Sequence, residues 1–454
     1  MKSAIKLSWL VAIALVLAGC RGISSSGEKQ SRHDFASLAG QYTNSDSITN
    51  LPELTPDSTL SNLVTYALLN SPAVKASFYD WSASIEKITV TRSLPDPQLT
   101  LQAYIQNVVT SLMPGFAWNF PGPGKLKARA QVTIAESQGK YFTFESAVLQ
   151  SVFNLERAYY QLDLWQEQLR LKQETLALLQ NQEQVLGTQN AAGLGNLSDV
   201  FQARDELDRT RNELASLQDS RLVVLENFKA ALGLTVEQSN PPIPAHFEIT
   251  RFEGGNENKD AEELVRTAFQ RNPDHKAMEA DVRAAEAEIA VAYKERVPDF
   301  SVALMADVKA SPVLYWPQAG MSLPVWRDKI AAEIAGAKAK EFAAESRLKA
   351  AHIDLVVSVA EKSFACRETA RNLALIQNQL MPRARQSLET IRAGYRVGTM
   401  NFSSLTGAER ALLDLQLAAA EARADHEIAL ADLSLLVVGI PPVNAPLLTN
   451  RDQH

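Results

Sequence analysis

The sequence predicts a mainly helical chain with a small β part, built from two copies of one unit. Three observations point to this fold: a motif that recurs in the second half of the chain, short segments in which apolar and polar residues alternate, and long helical stretches without proline. The chain has 454 residues, of which 46% are hydrophobic, so it is long enough to bury a large core.

The duplication starts with the motif that opens each unit. Residues 63–72 read LVTYALLNSP and residues 264–273 read LVRTAFQRNP, with Leu, Val, Ala and Pro at matching positions. Further matches follow in the same order: Pro95-Asp96 with Pro298-Asp299, Phe120-Pro121 with Leu323-Pro324, Gly193 with Gly398, and Leu232-Gly233-Leu234 with Val438-Gly439-Ile440. A period of about 200 residues is too long for a solenoid and indicates a duplicated module.

The repeat sets the expected domain boundaries. We expect a first repeat over 58–240, a linker over 241–259, a second repeat over 260–440 and a tail over 441–454. Each repeat presents the same elements in the same order, beginning with one long helix.

That opening helix is predicted over Ser58–Ser93 and again over Asp260–Arg296. Two strands follow in each repeat, at about 97–121 and 299–324, because one face of each segment is apolar and the other is mostly polar. The apolar face is carried by Leu99, Leu101, Ala103, Ile105, Phe116, Trp118, Val302, Leu304 and Met321.

Helical hairpins are predicted to follow the strands, over 126–233 and 328–439. The first arm of the first hairpin has roughly 64 residues, which would make a rod on the order of 95 Å long. We expect the hairpins to reverse at Gly193 and Gly398, and the second to kink or break at Met381-Pro382 because proline removes a helix hydrogen bond.

The N-terminus is typical of a lipoprotein signal. Two lysines flank an apolar run that ends in Leu17-Ala18-Gly19-Cys20 and is too short to span a membrane stably. The pattern resembles a lipobox, which implies removal of residues 1–19 and acylation of Cys20; an ordinary signal peptide that contains a cysteine is the alternative. Arg21 is compatible with sorting to the outer membrane. Residues 20–57, rich in Ser, Asn, Thr and Gln, would then form a lipidated tether.

Composition and motifs argue against nucleic acid binding and enzymatic activity. The formal net charge is −7 with acids and bases interspersed, so no basic surface that neutralises phosphates is expected. The six histidines are scattered, and the sequence has no metal-ligand motif and no glycine-rich phosphate loop. We therefore expect no cofactor, no bound metal and no catalytic residue, and we interpret Cys366 as a buried thiol.

Strands are the elements that would cross a membrane, because no run of 18 apolar residues follows the signal. Backbone groups in a bilayer must be hydrogen-bonded internally, which for strands requires a closed barrel. Four strands are too few to close one, so several chains would have to contribute. A cytosolic coiled-coil spacer is the alternative, but it leaves the lipobox unexplained.

Together these features resemble the TolC family of outer-membrane efflux proteins, over about residues 58–440. The resemblance rests on the two modules, the Pro-Asp strand entries, and the turn 393–399 followed by Leu405 and Ala408. Residues 120–125, FPGPGK, are similar to the strand-to-helix junction of some heavy-metal-type members. The resemblance implies a homotrimer in which twelve strands form one transmembrane β-barrel above an α-helical barrel.

The family resemblance also implies a function and partners. The trimer would passively conduct drugs, small compounds or metal ions across the outer membrane after engaging a periplasmic adaptor protein and an inner-membrane pump, expected to be of the RND type. One alternative is the outer-membrane duct of a type I protein secretion system. A periplasmic adaptor lipoprotein is a further alternative, although an adaptor should have one hairpin flanked by β-rich domains.

The resemblance places the functional residues at the two helix turns. The adaptor-docking candidates are Gly193, Gly195, Tyr395, Arg396, Val397, Gly398 and Thr399. Members often carry an acidic constriction after the second turn, at positions that here are Ser404 and Gly407. The matching positions after the first turn are Asp199 and Gln202, so Asp199 could supply a ring of three carboxylates that attracts cations. Alternatively, Asp199 is a helix-start residue favoured by the helix dipole.

Overall fold

The computed structural model describes residues 24–42, 51–105, 109–248 and 261–437. The predicted signal peptide over 1–19, the lipidation site Cys20 and the tail over 441–454 lie outside the described residues. The end of the second repeat, beyond Val437, and the second half of the linker also lie outside them.

The chain order of elements repeats once. The first repeat and the segment before it contain α1 (Ser26–Tyr42), α2 (Leu60–Asn70), α3 (Pro72–Arg92), β1 (Gln98–Ile105), β2 (Val109–Phe120), α4 (Lys125–Ala191), α5 (Leu197–Asp219) and α6 (Arg221–Ala231). The second repeat contains α7 (Ala261–Arg271), α8 (Pro273–Lys294), β3 (Phe300–Asp307), β4 (Leu314–Met321), α9 (Arg327–Leu375), α10 (Met381–Arg396) and α11 (Phe402–Val437). This arrangement confirms the predicted fold class.

The opening helix of each repeat is two helices, so the prediction of one continuous helix was wrong. Ser71 caps α3, with its hydroxyl accepting from the backbone N–H of Val74, and the side chain of Asn272 caps α8 in the same way. A proline follows each cap as the first helical residue. Proline lacks an N–H and disfavours helical backbone in the residue before it, so each helix ends there and a new one begins.

The segment predicted as a tether contains a packed helix, which corrects that interpretation for residues 26–42. Leu38 and Tyr42 of α1 are buried in the core of the first repeat. The ring of Tyr42 stacks on Phe78 with centroids 4.9 Å apart and meets Phe144 edge-on at 5.5 Å. Because these apolar residues are few and widely spaced among polar ones, the sequence pattern did not predict the helix.

Helix α1 is also held by charges. Glu28 is 1% exposed, and its carboxylate pairs with Arg92 on α3 at 2.8 Å and with Arg32 one turn away at 3.2 Å. Arg32 in turn donates two hydrogen bonds to Glu86, at 2.8 and 3.2 Å. The guanidinium of Arg32 lowers the pKa of the Glu86 carboxyl.

The four strands form one antiparallel sheet in the order β1-β2-β3-β4. The two hairpins are joined in the middle, where β2 pairs with β3 and Phe120 lies opposite Phe300. Strands β1 and β4 are therefore both sheet edges. The sheet stands at the end of the molecule where the long helices begin.

The long helices match the predicted rods. At 1.5 Å per residue, the 67 residues of α4 extend about 100 Å. The second hairpin is irregular where the sequence predicts a kink: a π-helical turn at Ile376–Leu380 precedes Pro382, and the N–H of Met381 reaches the carbonyl of Ile376. The first hairpin breaks on its return arm at Ser220. None of the described helices combines the length and apolarity that crossing a bilayer would require.

Candidate functional site

The sheet presents one continuous apolar face. Directly paired residues lie on the same face, so the register places Leu99 beside Phe116, Phe116 beside Leu304, and Val302 beside Ala319. The large side chains on this face are exposed: Leu99 73%, Leu101 70%, Phe116 53%, Val302 47% and Leu304 43%. Such an area of exposed apolar residues marks a surface that another apolar phase or another chain covers.

A buried lysine joins the sheet to the rods. Lys125, at the start of α4, is 3% exposed, and its ammonium contacts the carboxylates of Glu295 at 3.2 Å and Asp299 at 3.0 Å. The carboxylate of Asp299 also accepts a hydrogen bond from the backbone N–H of Gly122, 2.7 Å away. These contacts connect the segment between β2 and α4 of the first repeat with the segment between α8 and β3 of the second, and so attach the sheet to the helices. In the sequence, Lys125 stood out only as the last residue of the 120–125 motif that resembles the family.

The first helix turn reverses through Gly193. Its φ is +72°, a left-handed conformation that glycine adopts without strain. The N–H of Leu194 donates to the carbonyl of Gln189 at 2.9 Å and the N–H of Gly193 donates to Asn190 at 3.0 Å, the pattern of a Schellman motif. Gly195 follows in the loop, and the side chain of Asn196 then caps α5.

The second turn has the same construction. Gly398 has a φ of +76°, and the N–H of Thr399 donates to the carbonyl of Gly394 at 2.9 Å. The hydroxyl of Thr399 donates to the same carbonyl at 3.0 Å. Asn401 then caps the return helix, where Asn196 does so in the first repeat. The docking candidates Tyr395, Arg396 and Val397 are all exposed on the last turn of α10 and the loop after it.

The aperture candidates occupy the first turns of the return helices. Asp199 lies in the first turn of α5 with an exposed side chain, a position where the helix dipole favours a carboxylate. The backbone N–H and hydroxyl of Ser404 both donate to the side chain of Asn401, at 2.8 and 2.7 Å. Gly407 is exposed on α11, and a Cβ added there would meet nothing within 4 Å.

Both turns expose apolar side chains that the sequence reasoning missed. Leu194 is 84% exposed and Phe201 54% at the first turn, and Met400 is 43% exposed beside Val397, 74%, at the second. Of the missed residues, only Leu194 lies directly beside turn glycines, and that position was its signal in the sequence; Phe201 and Met400 gave none, whereas Val397 was already a docking candidate. Both tips therefore expose apolar side chains close to the glycines at which the chain reverses.

Ion pairs hold the two hairpins side by side. Arg423 on α11 contacts Asp163 on α4 at 3.0 Å, and Gln168 donates to Glu421 at 3.1 Å. Nearer the tips, Arg410 on α11 pairs with Glu206 on α5. Burial raises the pKa of the Asp163 carboxyl, and Arg423 offsets part of that rise.

The repeats also match a protein family. The model of the family described as outer membrane efflux protein matches residues 63–234 and 264–438, which together cover most of the chain. The chain belongs to the outer membrane efflux protein family. The two matched segments are the two structural repeats of this efflux protein, each with one strand pair and one helical hairpin.

Solved structures share the fold of this efflux protein. The chain is 16% identical to CusC, with a TM-score of 0.69, covering 84% of this chain and 92% of that one. It is 15% identical to the open state of the MtrE outer membrane channel from Neisseria gonorrhoeae, with a TM-score of 0.69 and coverages of 85% and 94%. The CmeC outer membrane channel from Campylobacter jejuni is 14% identical, with a TM-score of 0.68 and coverages of 86% and 89%. No curated protein matches the sequence.

The described residues contain no cluster of three or more His, Cys, Asp or Glu side chains that could hold a metal ion. Cys366 is buried, in agreement with its interpretation as a core thiol.

Proposed function

We propose that this protein is the outer-membrane channel subunit of a tripartite efflux system, conducting drugs, small compounds or metal ions passively to the exterior. The observation that carries the proposal is the combination of two surfaces at opposite ends of rods about 100 Å long. One end carries a sheet with a continuous exposed apolar face, and the other carries paired helix turns with exposed apolar residues.

Each surface suits a different partner. An exposed apolar sheet face is suited to lipid, and the open edges β1 and β4 are suited to the sheets of further copies, giving a homotrimer with a twelve-stranded barrel. The turns around Gly193 and Gly398 would receive a periplasmic adaptor, which connects the channel to an inner-membrane pump of the RND type. Acylation of Cys20 would anchor the N-terminus in the outer membrane.

The test is the behaviour of the protein in membranes. We expect it in the outer-membrane fraction as a crosslinkable trimer whose gel migration changes on heating, and the purified protein to conduct ions across planar bilayers. A strain that lacks the protein should retain export substrates. A monomer confined to the soluble periplasm would overturn the proposal.

We further propose that Asp199 contributes a ring of three carboxylates at the periplasmic aperture, with Ser404 and Gly407 at the matching positions of the second turn. A carboxylate ring favours cations, so Asp199→Asn should reduce cation selectivity in single-channel recordings. The matched control is Asp208→Asn, an exposed acid on the same helix. Unchanged selectivity together with a lower helix stability would leave Asp199 a helix-start residue.

A further inference from the structure

A pocket of about 510 Å³ lies where α3, α4, α8 and α9 meet just below the sheet. Its apolar walls are formed by Val132 of α4, Val291 and Ala292 of α8, and Ala337 of α9. Ala292 and Ala337 are also packed in a small buried apolar cluster, which holds this wall in place. A pocket of this size, mostly apolar with a few polar groups, suits a small organic molecule.

Most of the charged groups around the pocket are already paired within the chain. Lys340 of α9 contacts Glu288 of α8 at 2.8 Å. Arg129 of α4 contacts Glu295 of α8 at 3.3 Å. Each of the two basic side chains in the lining therefore has its own carboxylate, and neither is left to attract an anion.

Glu333 supplies a third carboxylate to the lining, and one of its oxygens is unused. Oε2 is shielded from solvent and accepts no hydrogen bond from the described residues. The Nζ of Lys329 lies 3.7 Å from Oε1, too far for a hydrogen bond, and the lysine side chain is 72% exposed, so this pair contributes little. Because the last torsion of a glutamate is broad, the carboxylate can turn toward a ligand in the pocket. The remaining electrostatic preference of the pocket is for a cation.

The pocket lies on the side of α4 that faces away from α1. A Cβ added at Gly27 of α1 would come within 3.1 Å of Cγ2 of Ile134, so α1 covers the Ile134 side of α4. Val132, in the pocket wall, is two positions from Ile134 and therefore points about 200° away from it around the helix. The helices thus carry α1 on one side and the pocket on the other.

The polar face of the sheet lies on the same side as the pocket. Glu295, in the pocket wall, shares the ammonium of Lys125 with Asp299. Asp299 lies two residues before Ser301, and successive residues of an extended chain alternate in direction, so it shares the polar face of β3 and not the apolar face of Phe300. In the proposed barrel the apolar face meets lipid, so the polar face and the pocket below it would line the lumen.

We propose that this pocket binds an organic cation with an apolar body as it passes through the channel, a proposal that rests on the proposed function and adds a substrate class to it. The carboxylate of Glu333 accepts from the N–H groups of the cation, and the walls around Val132 and Ala337 contact its apolar part. Binding has to be weak enough for release, because a conducting path needs sites that a substrate can leave.

The lining distinguishes such a molecule from a metal ion. A hydrated metal ion gains nothing from apolar walls, and its ligands would have to be oxygen, nitrogen or sulfur atoms grouped around one point. The described part of the chain has no group of three or more His, Cys, Asp or Glu side chains that could hold a metal ion. Of the compounds that the proposed channel could conduct, organic cations fit this pocket best.

The experiment compares two fluorescent probes that differ in charge. Monodansylcadaverine carries a primary ammonium on an apolar ring system, and its N-acetyl derivative is neutral and otherwise alike. Both are titrated by fluorescence anisotropy onto the full-length protein in lipid nanodiscs, with empty nanodiscs subtracted. We expect the wild-type protein to bind the cation roughly fivefold more tightly than the neutral probe, because a hydrogen bond to a charged group is stronger than one between neutral groups.

Two variants test the charge and the space separately. Glu333→Gln should remove the preference for the cation and leave binding of the neutral probe unchanged. Gly336→Leu should weaken binding of both probes roughly tenfold, because the new side chain occupies space that the probe needs. Gly336 lines the pocket, and a Cβ added there would meet no atom within 4 Å. Leucine is also the better helix former, so this variant should fold.

Each variant has a matched control elsewhere on the rods. Glu345→Gln removes an exposed acid on α9 that, like Glu333, lies near a lysine one turn away, with Lys349 at 3.8 Å. Gly187→Leu fills another open glycine position, on α4. Both controls should bind the two probes as the wild-type protein does.

The outcomes separate this site from the channel itself. Equal affinity of the wild-type protein for the two probes, or an unchanged preference in Glu333→Gln, would overturn the site, as would an equal loss in Glu345→Gln. A protein that conducts ions across planar bilayers but does not distinguish the probes would remain a channel without this site. A protein that binds the cation through Glu333 but stays monomeric and conducts nothing would retain the site and overturn the proposed function.

Discussion

At the residue scale, the histidine pair in the second repeat determines how the protein should respond to acid. His275 is 5% exposed, and its ring stacks on His352 with centroids 4.5 Å apart. Phe269 covers the same ring edge-on at 5.4 Å, and the carboxylate of Glu279 lies 3.6 Å from Nδ1. Burial lowers the pKa of His275, the neighbouring His352 lowers it further, and Glu279 offsets part of the shift.

The lowered pKa of His275 predicts a loss of stability in acid. A histidine whose pKa is lower in the folded than in the unfolded state binds its proton more readily when unfolded, so its contribution is present above the unfolded value near 6.5 and falls below it. The melting temperature should therefore drop between pH 7.5 and 5.5, and drop less in His275→Phe, which keeps the ring stack but does not titrate. His33→Phe, at a mostly exposed histidine, is the control. An equal acid shift in wild type and His275→Phe would contradict the prediction.

Contacts between residues that are distant in the sequence could not be predicted from the sequence alone. The six histidines are scattered along the chain, and nothing in a pattern of local spacing brings His275 to His352. The turn glycines Gly193 and Gly398 were identified because a reversal needs a left-handed residue at one position. Lys125 gave no such local signal, since its carboxylates come from the other repeat.

At the element scale, helix α1 ties the N-terminal segment to the first repeat. Its apolar contacts converge on Tyr42, which lies between Phe78 and Phe144, while Glu28 anchors the opposite end. The helix therefore holds residues 26–42 against the body of the first repeat. Alternation and periodicity predicted the strands and rods because each of those has many apolar positions, whereas α1 has few.

Removing the ring of Tyr42 should release this helix. Replacing a large buried ring by alanine costs about 3–5 kcal/mol, more than the packing of one short, mainly polar helix is expected to supply. In Tyr42→Ala, trypsin should cleave near Lys29 and Arg32 much faster than in the wild-type protein, while the helical content of the body stays unchanged. Tyr42→Phe, which keeps the ring, should resist cleavage. Equal protection of Tyr42→Ala would show that the ion pairs of Glu28 suffice to hold α1.

At the scale of the whole molecule, the helical hairpins of the two repeats are held side by side by polar contacts at several points along their length. Asp163 and Arg423 meet far from the turns, and Glu206 and Arg410 meet nearer to them. The repeat itself was predictable from recurring motifs, but the side-by-side placement of the hairpins depends on pairs more than 200 residues apart. Because the pair of Glu206 with Arg410 lies nearer to the tips than that of Asp163 with Arg423, its loss should change the separation of the two helix turns.

Breaking the pair of Glu206 with Arg410 should let the tips separate. The two side chains are 28% and 42% exposed, and pairs of this kind contribute about 1 kcal/mol or less, so the population of separated tips should rise by roughly fivefold at most per subunit. Spin labels at Leu194→Cys and Val397→Cys, in a Cys366→Ala background, should report longer and broader distances in Glu206→Gln and in Arg410→Gln. The swap of Glu206→Arg with Arg410→Glu should restore the wild-type distances, and Arg211→Gln, on an exposed pair within α5, should leave them unchanged. Distances that stay the same in both single variants would mean that the more deeply placed contacts, such as Arg423 with Asp163, hold the tips together without this pair.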